Sequence, residues 1–76
     1  MNNPRRKVLA DLAGTLRDIE SQIAAVRDEE QDFFDNIPES KQDGERAQAV
    51  EEAIDQMDTA MTFIEDAISC LDEARN

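Results

Sequence analysis

Asp35-Asn36-Ile37-Pro38-Glu39-Ser40 separates two long stretches rich in Ala, Glu, Asp, Leu, Ile and Gln, and its reading decides the fold. Proline at 38 disfavours helix at Ile37, and Asp35 or Asn36 is suited to closing a helix just before it. Ser40 followed by Asp43 has the form of a capping box with the shorter acid in the usual Glu position, which predicts a second helix from about residue 41. Gly44, so close to that start, leaves the boundary open by a turn. Upstream, Asn3-Pro4 reads as an N-cap and first helical residue. The expectation is one domain over residues 1–76, with a helix over about 4–35, a turn over about 36–40 and a helix over about 41–75.

Hydrophobic spacing on either side of the turn predicts how the helices pack. Leu9, Leu12, Leu16, Ile19, Ile23, Val26, Glu30 and Phe33 recur at alternating steps of three and four, apolar except at Glu30. Ala47, Val50, Ile54, Met57, Met61, Ile64, Ile68 and Leu71 repeat the pattern without a break. Both are heptad seams of period 3.5, as in helices that lie side by side. A turn centred near residue 40 pairs positions whose numbers sum to 80, so that Leu16 meets Ile64, Ile23 meets Met57 and Phe33 meets Ala47. The predicted class is all-α, an antiparallel two-helix coiled-coil hairpin. At the seam margins this register places Arg27 near Glu51, Arg6 near Asp72 and Glu20 unfavourably against Asp58.

The second helix carries more apolar surface than one partner covers. Ala53, Ala60, Ala67 and Ala74 recur at steps of seven beside the seam, with Ala49, Phe63 and Cys70 next to them. Alanine is the best helix former, which accounts for the alanines alone but not for Phe63 in the same line. Ala53, Ala60, Phe63, Ala67 and Cys70 are therefore candidates for an oligomer or partner interface. The simplest outcome is a homodimer in which two hairpins form a four-helix bundle. A chain of 76 residues also has little core to spend on standing alone.

Composition narrows the function classes. With no histidine, the commonest general base and metal ligand is absent, and no serine or lysine has an obvious activating neighbour. Glu29, Glu30 and Asp32, or Glu51, Glu52 and Asp55, lack the spacing of an EF-hand loop and read as solvated helix faces. No enzyme activity, metal or cofactor is expected. Nineteen acids against eight bases give a net charge of -11, which opposes direct binding to a phosphate backbone. Arg5-Arg6-Lys7 is too small a basic patch to change that, and no apolar run reaches the roughly 20 residues of a membrane span. Asp11, Arg17 and Asp18 interrupt any signal-peptide core, and Cys70 is an unpaired thiol, so the expected address is the cytoplasm.

Glu51, Asp58, Glu65 and Asp72 form an acidic row at steps of seven. Such a row serves solubility in most proteins, and on a small rod it also steers the chain toward a basic surface on another protein. The stretch from Arg27 through Phe34-Asp35-Asn36-Ile37-Pro38-Glu39-Ser40, then Gly44-Glu45-Arg46 and Glu51-Glu52-Ala53-Ile54, resembles a group of small acidic helical proteins of uncharacterised function encoded in phage and prophage genomes. The likeness covers roughly residues 27 to 74, with the Phe34 to Glu39 turn its most specific part. It implies a mobile-element setting and no mechanism. The expected role is a non-enzymatic protein-interaction module, in its sharper form a phage-encoded inhibitor that occupies a basic surface of a host or defence protein. The alternative is a structural or assembly accessory whose role is self-association.

Overall fold

In the computed structural model, which describes all residues from Met1 to Asn76, helix α1 spans Asn3–Asp35 and helix α2 spans Glu45–Ala74. They pack antiparallel into a hairpin measuring 59 × 15 × 12 Å, one helix layer deep. The N-cap lies one residue earlier than expected: Asn2 accepts a hydrogen bond from the Arg5 amide at 2.9 Å, which brings Asn3 and Pro4 into the first turn. Proline is tolerated there because the first turn has no acceptor for its missing N–H. At the other end of α1 the Asn36 side chain donates to the Asp32 carbonyl at 2.9 Å.

The connection is longer than the sequence reading placed it. Pro38, with φ -55° and ψ 140°, leads into a single 3-10 turn over Glu39–Lys41, closed by the Lys41 amide on the Pro38 carbonyl at 2.8 Å. Gly44 is extended and is itself the cap of α2, without a side-chain hydrogen bond, so the Ser40 capping box does not form and α2 begins four residues late. The Gln42 side chain donates to the Ile37 carbonyl at 3.1 Å and braces the connection from within.

On α2 the expected seam faces α1. Ala47, Val50, Ile54 and Ile68 are buried, and Met57, Met61, Ile64 and Leu71 are half-buried. Only half of the α1 seam does the same. Leu9, Leu16, Ile23 and Glu30 are half-buried, whereas Leu12, Ile19, Val26 and Phe33 remain 48, 41, 52 and 41% exposed. The positions that follow them take their place: Ala13 is buried, and Glu20, Arg27 and Phe34 are half-buried. Because neighbouring residues on a helix stand 100° apart, α1 is rotated about its axis by a fraction of that angle relative to the expected seam. Five buried residues, none of them a large side chain fully enclosed, are all the core the hairpin has.

The rotation also changes the charge partners. Arg27 meets Asp58 at 3.0 Å and not Glu51, Arg17 rather than Arg6 takes Asp72 at 3.1 Å, and Glu20 lies against Glu65 and not Asp58. Helical side chains lean toward the N-terminus of their own helix. The arginines of α1 therefore reach residues of α2 nearer its C-terminus than a level pairing predicts.

Candidate functional site

The rotation gives the hairpin two unlike borders. Along one, polar side chains bridge α1 and α2. Arg27 donates through Nε to Asp58 and sits 3.6 Å from Asp28, and Asp72 is held by Arg17 on α1 and Arg75 on its own helix. The Asp58 carboxylate raises the pKa of the Arg27 guanidinium, first through their hydrogen bond, against the partial loss of water. Glu20 is the discordant member. The Glu65 carboxylate, as an acceptor facing the protonated acid, then loss of water, then repulsion by the Glu65 charge raise its pKa, and Arg17 opposes them. One of its oxygens, Oε2, is buried with no donor.

The acidic row identified in the sequence lies along this border. Asp58 and Asp72 are half-buried and engaged with arginines of the same chain, and Glu65 is turned toward Glu20. Glu51 is exposed and makes no ion pair. The row is thus partly an internal seam of the hairpin, and it does not present four free carboxylates.

Along the other border runs an uncharged groove of about 400 Å³, lined by Ile19, Gln22, Ile23 and Val26 of α1 and Gln56, Met57 and Ala60 of α2. Ile23 and Met57, paired by the sequence reading, line this same groove. Leu12 and Phe33 stand one heptad outside Ile19 and Val26 and continue the apolar file toward both ends of α1. On α2 the file is continued by Ala53 and Ala67, both exposed, one heptad to either side of the half-buried Ala60. Phe63 is the most open large apolar side chain, 67% exposed, with exposed Cys70 one heptad beyond it.

Of the proposed interface residues of α2, Ala53, Phe63, Ala67 and Cys70 are therefore exposed and Ala60 is half-buried, and the structure adds a second set that sequence reasoning had assigned to the core: Leu12, Ile19, Val26 and Phe33. Their heptad spacing was visible; their direction was not. At the turn, a cleft of about 680 Å³ lies among Phe33, Ile37, Pro38, Lys41 and Arg46, with the Arg46 guanidinium 5.0 Å from the Phe33 ring centre. Nowhere do three or more Asp, Glu or Cys side chains gather as metal ligands, and no helix is long and apolar enough to cross a membrane.

No family model, curated protein or solved structure matches the chain.

Proposed function

We propose that this chain is a non-enzymatic acidic interaction module that acts by laying the open apolar border of its hairpin against other helices. The observation that carries this reading is the exposed file of Leu12, Ile19, Val26 and Phe33 beside a groove without a charged residue, in a chain that is 36% charged. An apolar strip of this length, rimmed by polar surface, is the physical mark of a contact face. Helical hairpins of this kind bind by inserting side chains at heptad spacing between those of a second helix layer.

A second reading is favoured by the charge. A net charge of -11 on so slender a rod supports recognition of a basic protein surface, with the unpaired Glu51 among the acids that would meet it. On this reading the target is a basic surface of a host or defence protein, the setting that the resemblance of residues 27 to 74 to small phage and prophage proteins would imply. In an assembly accessory, by contrast, the apolar face would be the whole function and the acids would serve solubility.

Capture experiments with purified chain separate these readings. Val26→Glu disables the apolar border, and a triple change of Glu51, Asp58 and Glu65 to Lys reverses the acidic one. Partners lost with Val26→Glu, and retained from about 50 to 500 mM salt, mark apolar recognition. Loss with the triple variant and with rising salt marks electrostatic recognition, since exposed charges are screened within about 10 Å at 0.1 M. Partners that survive both variants would sink the proposal.

A further inference from the structure

Three features compete for a further reading: the turn cleft beside the Gly44 cap of α2, the exposed Cys70, and the apolar border. Only the last combines shape, area and charge. Resting on the interaction reading above, we propose that its occupant is a second copy of this chain, docked by a two-fold axis that crosses α1 between Gln22 and Ile23.

The apolar file on α1 is self-complementary about that point. An antiparallel copy sets Leu12 opposite Phe33 of the second copy and Ile19 opposite Val26, with the reciprocal pairs generated by symmetry, as a two-fold interface requires. The larger Phe33 meets the smaller Leu12 near each end, over about 32 Å of helix. The same axis suits α2. Ile19 and Val26 share their groove with Met57 and Ala60, so the midpoints of the two pairs lie at one level of the hairpin. The axis through that level sets Met57 opposite Ala60 of the second copy, a long side chain against a small one. Two hairpins so joined form a four-helix bundle.

Area supports this occupant. A folded monomer of 8.6 kDa exposes roughly 4,700 Å² by the scaling of globular proteins. This hairpin exposes 5601 Å², a surplus of roughly 900 Å². A standard interface takes about 800 Å² from each partner. Charge selects the face: two chains of -11 repel, and the groove border, lined by Ile, Val, Met, Ala and Gln, is where they approach with least repulsion. Association through it strengthens as salt screens that repulsion, the reverse of what a basic partner shows.

Sedimentation velocity of the full chain between about 1 and 100 µM should show a species of two chains, its fraction higher at 500 than at 50 mM salt, and Val26→Glu should abolish it while leaving the helical circular dichroism in place. In a Cys70→Ser background, Gln22→Cys should oxidise to a disulfide between chains and Ser21→Cys, at the same level on the side of α1 away from the groove, should not. A monomer at every concentration and salt overturns the proposal, as does a dimer that ignores Val26→Glu or crosslinks equally through both cysteines. Nile red then tells that failure from failure of the interaction reading. A monomer that binds the dye, and loses it on Val26→Glu, keeps an open face for a foreign helix; a monomer that does not bind it overturns both.

Discussion

Glu20 on α1 and Glu65 on α2 face one another across the hairpin, two carboxylates drawn together by the register that pairs Arg27 with Asp58 one heptad away. Glu65 raises the pKa of Glu20 above the usual 4.5, with loss of water adding to it and Arg17 subtracting. A raised pKa means that the folded chain holds this proton more tightly than the unfolded one. Stability from this group is therefore fully present below about 4.5 and is lost as pH rises through the raised folded value. Glu20→Gln should raise the melting temperature at pH 7. The gain should shrink toward pH 4, where wild type carries the proton itself. Melts by circular dichroism at one protein concentration from pH 4 to 8 check this; a constant difference across that range would show that Glu65 does not raise the Glu20 pKa.

The buried and open halves of the heptad pattern should separate by concentration. Ile54, 6% exposed on α2, packs within the hairpin, and Ile54→Ala should cost about 2–4 kcal/mol in chemical denaturation at any protein concentration. Val26 lies outside that core. Val26→Ala should weaken only the concentration-dependent part of stability, which arises from association. Equal, concentration-independent losses at both positions would place Val26 in the core of a single hairpin.

How much of this could be read from the sequence depends on how many neighbours a helix has. The turn around Pro38 followed from proline and cap chemistry, and the whole α2 seam from spacing, because α2 has one row of large side chains beside a row of alanines and only the large row can fill the space between helices. On α1 the choice was open. Leu9, Leu16 and Ile23 belong to the contact whichever way the helix turns, and either Leu12, Ile19 and Val26 or the following positions can complete it. Hydrophobicity favoured the first set, whereas the structure buries Ala13, which allows close approach, and turns Arg27 onto Asp58. A pattern of apolar residues states how much surface wants cover, and does not state which partner covers which half. The exposure of Phe63 on α2 was legible, because that residue has no place in a two-helix seam at all.

Backbone effects give a prediction independent of any partner. Gly14 lies in the middle of α1, and a Cβ added there meets nothing within 4 Å. Gly14→Ala should stabilise the chain by about 1 kcal/mol through helix propensity. Gly44, the cap of α2, offers no such freedom, since a Cβ there would stand 3.2 Å from the Lys41 carbonyl oxygen. Gly44→Ala should therefore give no comparable gain in the same denaturation series, and a gain equal to that of Gly14→Ala would mean that the turn relaxes without cost.

Charge reversal within the acidic row should divide its members by sign. Lysine at 58 would stand against Arg27, turning a 3.0 Å ion pair into repulsion, so Asp58→Lys should lower the melting temperature. Lysine at 65 would replace the repulsion felt by Glu20 with attraction, so Glu65→Lys should raise it. Glu51, exposed and unpaired, should respond little. All three effects are between surface or half-exposed groups and should contract at 500 mM salt. If the three variants instead moved together, the row would act through its summed field alone and the register that sets Arg27 on Asp58 would be wrong. The opposite signs expected at 58 and 65 also bear on any binding assay. A triple reversal combines a structural loss with a structural gain, and Glu51→Lys alone, which leaves the hairpin's own pairs intact, is the cleaner probe of whether a basic partner reads this border.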